Sequence, residues 1–184
     1  MSHFVLGVTG ASGAIYAART LWHLQKLGHS VMLIQTTAGK TVALYEGMSE
    51  ALNQADAILN IDDFFAGCAS GNSHFAGMAI VPCSMGSLGK IANGIADNLL
   101  TRTADVCLKE RRPLVVVLRE MPYNLIHIKN MERLTLAGAV VIPASPHFYS
   151  HAATIENLVD TVVSKILRHL NVPNQIVPEW GSAK

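Results

Sequence analysis

Charge is what this 184-residue chain has least of: 14 Lys and Arg stand against 13 Asp and Glu, and charged residues make up only 15% of it. A small soluble monomer normally spreads more Lys and Glu over its exterior, so the deficit points to surface hidden in an oligomer. A membrane protein would explain it too, but there is no run of about eighteen apolar residues to span a bilayer. The near-neutral balance lacks the basic excess of a nucleic-acid binder. Three cysteines (Cys68, Cys83, Cys107) have no metal-ligand spacing, and no metal is expected; an odd number suits free thiols in a reducing compartment. The opening MSHFVLGVTGASG lacks the basic flank and long apolar core of a signal peptide, which suggests a cytoplasmic protein. Neither an internal repeat nor a linker is visible.

What is present is an alternation of short β-branched runs with longer helical stretches. Strands are predicted over Phe4–Val8, Val31–Gln35, Met78–Val81, Leu114–Leu118 and Val140–Ile142. Helices are predicted over Ala14–Leu27, Thr41–Ala51, Ser87–Asn93, Leu99–Arg111, Leu125–Ala137 and Ile155–Leu170, with 56–74 read as irregular. Such alternation implies an α/β fold built from βαβ units, a three-layer αβα arrangement with a mostly parallel sheet, Rossmann-like or flavodoxin-like. The length suits one domain over 1–184, with an irregular tail from about 173.

Candidate chemistry gathers at the ends of the strands. The first strand runs into Gly7-Val8-Thr9-Gly10-Ala11-Ser12-Gly13, where glycines would let backbone N–H groups approach a phosphate at a helix N-terminus. Tight turns without a ligand also use glycine. The second strand ends Gln35-Thr36-Thr37, without the acidic residue that would bond a dinucleotide's ribose, which shifts the reading toward a mononucleotide. Pro82-Cys83-Ser84-Met85-Gly86-Ser87 offers hydroxyls and free amides at another helix start, for a ligand or simply for N-capping.

Between Met78 and Glu120 five cations crowd the second half: Arg102, Lys109, Arg111, Arg112 and Arg119. Arg102 and Lys109, seven apart, share a helix face, with Asp105 able to pair with either. Arg119-Glu120 directly follows a five-residue apolar strand, where a proton donor beside an anion clamp would sit. Arg111 and Arg112 read as surface or interface charges. Cys83 and Cys107 fit core packing. Pro143 to Tyr149 presents a phenol at a further strand end, and Lys165 in the last helix could meet it around a phosphate.

Together these segments resemble the UbiX-type flavin prenyltransferases, within the flavin-containing cysteine-decarboxylase fold family. The resemblance runs through GVTGASG, ASG at 69–71, PCSM at 82–85, LLTRTADVCLKERRPLV at 99–115 and REMP at 119–122. It continues through IHIKNMERLTLAGAVVIPASPHFY at 126–149 and TIENLVDTVVSKIL at 154–167. It implies a homododecamer in which a dimethylallyl group passes from dimethylallyl monophosphate to N5 and C6 of reduced FMN, without a metal. The prenylated FMN would then be handed to a UbiD-type decarboxylase. By the same resemblance Gly10, Ala11, Ser12, Thr36, Ser84, Met85, Gly86, Ser87 and Arg102 would hold the flavin. Lys109, Arg119, Tyr149 and Lys165 would surround the donor phosphate, with Glu120, Lys109, Arg119 and Ser12 catalytic. Glu46 would reach a neighbouring subunit's site and Trp180 would stand near the prenyl group. Lys165 and Thr36 occupy positions where arginine and serine are usual, and Ala152 replaces a proline. A cysteine decarboxylase on the same fold, or a non-catalytic FMN carrier, are the alternatives.

Overall fold

The computed structural model describes residues 1–150 and 152–178. Strands β1 (His3–Val8), β2 (Ser30–Gln35), β3 (Ala57–Leu59), β4 (Gly77–Cys83), β5 (Leu114–Leu118) and β6 (Val140–Pro143) form one sheet in the order β3-β2-β1-β4-β5-β6. Every neighbouring pair is parallel. Of the two expected arrangements this is the Rossmann order, with the chain reversing its direction of travel between β1 and β4.

The helices are α1 (Ala14–Lys26), α2 (Thr37–Tyr45), α3 (Ser49–Leu52), α4 (Met85–Ala92), α5 (Leu99–Lys109), α6 (Leu125–Leu136) and α7 (Ile155–His169). β4 and β5 are buried at every position, as central parallel strands covered on both faces must be. Because side chains alternate along a strand, Leu6, Val115 and Val117 join Leu21, Leu24 and Ile166 of α1 and α7 on one face. Val5, Ile80 and Val116 join Leu88, Leu100 and Leu134 of α4, α5 and α6 on the other.

Two expectations need correction. The single helix expected over 41–51 starts earlier, where Thr36 caps Gly39, and breaks at Gly47, whose φ of +71° no continuing helix allows. The stretch read as irregular contains β3, a short edge strand whose three residues give too brief a pattern to stand out.

α1 is held against α7 by a buried polar cluster. Arg19 Nε and Nη2 donate to the two carboxylate oxygens of Asp160 at 2.9 and 2.5 Å, and His23 Nε2 lies 3.1 Å from the same carboxylate. Among the described residues no helix is long and apolar enough to cross a membrane.

Candidate active site

At the carboxyl edge, where β1 and β4 lie side by side and their chains diverge, one side chain ties the two turns together. Thr9 is buried; its hydroxyl donates to the Pro82 carbonyl at 2.9 Å and accepts from the Ser84 amide at 2.7 Å. Its own amide also donates to Pro82 O, at 3.2 Å. Sequence reasoning passed over Thr9. The available signal was a hydroxyl at the end of a fully apolar strand, which has to find partners when buried.

The turn between β1 and α1 departs from expectation. Gly13 is the left-handed N-cap of α1 (φ +112°) and has no side chain to cap with. The Glu46 carboxylate does so instead, accepting from Gly13 N at 3.0 Å and Ala14 N at 2.7 Å. These amides are therefore not free for a phosphate, because an acid from the end of α2 already occupies the positive end of α1. Burial alone would raise the pKa of Glu46. The Ser12 hydroxyl, the Ala14 and Gly13 amides and the charge of Arg119 outweigh it and hold the carboxyl below its ordinary value. Arg119 Nε donates to the Ser12 carbonyl at 3.1 Å. Ser12, Glu46 and Arg119 thus form one cluster, and within its own chain Glu46 is engaged there.

Beside this cluster lies a cleft of about 600 Å³ bordered by Gly10, Thr36, Ser84, Gly86, Ser87 and Lys90. It meets the N-termini of two helices. Thr36 Oγ1 accepts from Gly39 N at 3.0 Å at the start of α2, and Ser84 Oγ accepts from Ser87 N at 3.4 Å at the start of α4. Both termini offer positive dipole ends to an anion. Gly10 is required by close approach: a Cβ there would stand 2.6 Å from that of Ala38. Lys90 and Asp97, which pair across the cleft wall at 2.6 Å, carry no signal in the sequence beyond two ordinary surface charges.

Other expected residues lie elsewhere. Met85 turns its side chain into the core beneath α4, and Ala11 is buried. Arg102 is absent from the cleft lining; it donates to Ala69 O at 3.0 Å and pairs with Asp105 at 2.6 Å. Lys109 ends α5, which starts at the carboxyl edge and runs about 15 Å toward the amino edge, and there it pairs with Glu110. It is thereby separated from Arg119. Arg112 is more than a surface charge: Nη2 donates to Gly71 O at 2.6 Å and the guanidinium covers the Phe75 ring. Glu120, half-buried, accepts from the following amide of Met121 at 3.1 Å. Tyr149 and Lys165 do meet, around a separate cavity of about 170 Å³ on the flank of α7. Trp180 lies outside the described residues.

Cysteine chemistry is disfavoured by position. Burial pushes the Cys83 and Cys107 thiols up to about 12, leaving no thiolate at neutral pH. Among the described residues no group of three or more His, Cys, Asp or Glu side chains is placed to hold a metal.

Comparison with known proteins bears on the whole chain. The Flavoprotein family model matches residues 1–167. The flavin prenyltransferase UbiX of Methanothermobacter thermautotrophicus is 42% identical over 181 residues, covering 96% of this chain and 94% of that one. The structure of AnUbiX (PadA1) in complex with FMN and dimethylallyl pyrophosphate superposes with a TM-score of 0.93 at 38% identity, covering 100% of this chain and 99% of that one. A dodecameric FMN-dependent UbiX-like decarboxylase from Escherichia coli O157:H7 gives a TM-score of 0.92 at 34% identity, covering 98% of this chain and 100% of the other.

Proposed function

Since the chain belongs to the UbiX flavin prenyltransferases of the Flavoprotein family, it is an enzyme that transfers a prenyl group to a flavin, and we propose that its flavin is reduced FMN and its donor a dimethylallyl phosphate. The observation that carries this is the cleft at the β1–β4 switch point, where the helix starts at Thr36 and Ser84 converge on a space suited to a mononucleotide. Gly10 lets the flavin approach the backbone, and Ser84, Gly86 and Ser87 offer amides and hydroxyls to its polar edge. The backbone of Met85, rather than its side chain, serves here.

The donor end needs groups that neutralise a departing phosphate and one that moves a proton. Arg119, anchored on Ser12, supplies a fixed positive charge beside the cleft. Glu120, next in sequence, is the proton carrier: it gives a proton to the leaving phosphate and takes one from the flavin carbon that has been alkylated. Lys109, Tyr149 and Lys165 complete the phosphate site.

Within one chain these groups cannot act together, since Lys109 lies at the opposite sheet edge and Tyr149 and Lys165 on the flank of α7. That separation supports a shared site in a cytoplasmic homododecamer, in which each site takes Lys109 and the α7 cavity from neighbours. The exposed apolar residues Tyr45, Phe65, Met121 and Leu136 would supply its contacts. No metal is required, and prenylated FMN would leave for a UbiD-type decarboxylase.

Subunit complementation tests this reading. Assemblies of Lys109→Ala chains and of Arg119→Ala chains should each be inactive, whereas co-refolded mixtures should regain part of the prenylation rate. Mixtures as inactive as the parents would count against a site shared between subunits.

A further inference from the structure

We propose that Gly71, Glu110 and Arg112 form a support that fixes where the Lys109 ammonium points, and so are positioning residues for a group that each chain lends to a neighbour's site. The proposal rests on the shared-site reading of Lys109. The segment Ala69-Ser70-Gly71, one of the stretches that carry the family resemblance, does not line the flavin cleft and has no task there. It is bonded instead to α5 and to the turn that ends α5.

The sequence Lys109-Glu110-Arg111-Arg112 gathers charge at one helix end, and the backbone decides where each head goes. Arg111 is left-handed (φ +57°), and the Arg112 amide turns back to donate to Cys107 O at 2.9 Å. That reversal brings Arg112 to the segment, where Nη2 donates to Gly71 O at 2.6 Å. Two turns earlier on α5, Arg102 Nε donates to Ala69 O at 3.0 Å. Between them Ser73 N donates to Ser70 O at 3.2 Å and closes a turn. All three carbonyls of the segment are thus held.

Gly71 is where the support meets the ammonium. Close approach, not a left-handed backbone, calls for glycine here: a Cβ would stand 2.7 Å from Lys109 Nζ and 2.9 Å from Glu110 Cδ. The ion pair of Lys109 with Glu110 therefore rests against the Gly71 backbone. An exposed pair of this kind ordinarily contributes little and leaves both side chains free to move. This one is closed on one side by backbone, and Arg112 pins that backbone in turn. The bond and charge of Lys109, with a smaller part from Arg112, outweigh desolvation and hold the Glu110 carboxyl below its ordinary value. Glu110 is accordingly an anion throughout the neutral range and a constant partner for the ammonium. A charge that has to meet a phosphate in another subunit acts faster when it is held in place beforehand.

A methyl at Gly71 meets only the flexible ends of two side chains, so Gly71→Ala should melt and bind FMN as the unaltered protein does while displacing the ammonium. Its prenylation rate should fall about tenfold or more. Glu110→Ala should act likewise, and Glu110→Gln, which keeps an acceptor oxygen, should restore part of the rate. Co-refolded mixtures show which group has been disturbed. With Lys109 misplaced, Gly71→Ala chains should regain rate when mixed with Arg119→Ala chains and not with Lys109→Ala chains. Recovery with Lys109→Ala chains would mean damage to the chain's own cleft and would overturn the inference. Full activity in Gly71→Ala or Glu110→Ala, or mixtures that recover with neither partner, would overturn it too. In each of those cases the shared-site reading stands if Lys109→Ala and Arg119→Ala chains complement each other. If they do not, that reading falls and takes this inference with it.

Discussion

The amide of Ser84 donates to the hydroxyl of Thr9 at 2.7 Å, joining turns that lie 75 residues apart in the chain. With the bond from Thr9 to Pro82 O, it fixes how far the first turn stands from the start of α4, and so braces one side of the cleft proposed for the flavin.

Thr9→Val keeps the shape of the side chain and removes the hydroxyl, leaving the Ser84 amide without its partner. We expect a loss of about 1–3 kcal/mol in a urea melt and a weaker FMN complex in a fluorescence titration. Thr9→Ser should recover most of both. Equal FMN affinity in Thr9→Val and the unaltered protein would mean that the cleft does not depend on this link.

Gly10→Ala introduces a methyl 2.6 Å from Ala38 Cβ, where something has to shift. The neighbour belongs to the first turn of α2, so its retreat displaces the Thr36 cap from the cleft. FMN affinity should fall about tenfold or more while the far-UV circular dichroism stays unchanged. Unaltered affinity would show that the flavin does not use this wall.

How much of this is legible in the sequence varies with the kind of contact involved. The central strands announce themselves, because Leu114–Leu118 is apolar throughout and can only be buried on both faces. The helix starts at Thr36 and Ser84 are visible as hydroxyls after strands. The partners of Thr9 and Glu46 are not, since each lies at least 32 residues away and no local pattern records it. Lys109 shows a further limit. It is close to Arg119 in sequence, but α5 carries it to the far sheet edge before β5 brings the chain back. Neighbouring letters are not neighbouring charges here. Gly47 is read through because a single glycine does not always end a helix, and in this fold its left-handed backbone does.

Glu46→Gln should weaken the cap on α1 by about 0.5 kcal/mol through the loss of charge at the helix N-terminus. Its pH signature follows from the direction of the shift. A carboxyl held below its ordinary value contributes stability above that value and loses it as pH falls through the lowered one. The Gln variant should therefore show a flatter acid limb in a plot of melting temperature against pH. An acid limb of unchanged slope would argue that Glu46 does not hold this position in solution.

Asp160→Asn should cost about 3 kcal/mol, the lower end for breaking a buried pair, because Arg19 keeps some contact with water. Two groups in this cluster weaken the fold on acidification. Burial, only partly offset by Asp160, lowers the pKa of His23, so its share is present above the ordinary imidazole range and fades as pH drops below it. Asp160 resists burial through Arg19 and His23, and its lowered carboxyl loses its share at still lower pH. His23→Gln should remove the first stage of acid destabilisation and leave the second. If both stages persist in that variant, His23 is not the titrating group.

The central claim is tested most directly by anaerobic incubation of the purified protein with reduced FMN and dimethylallyl monophosphate, followed by mass spectrometry of the extracted flavin. The account predicts FMN carrying one added dimethylallyl unit, formed with chelator present and lost in Glu120→Gln, which should still bind FMN. Flavin recovered unmodified from the unaltered protein would contradict it.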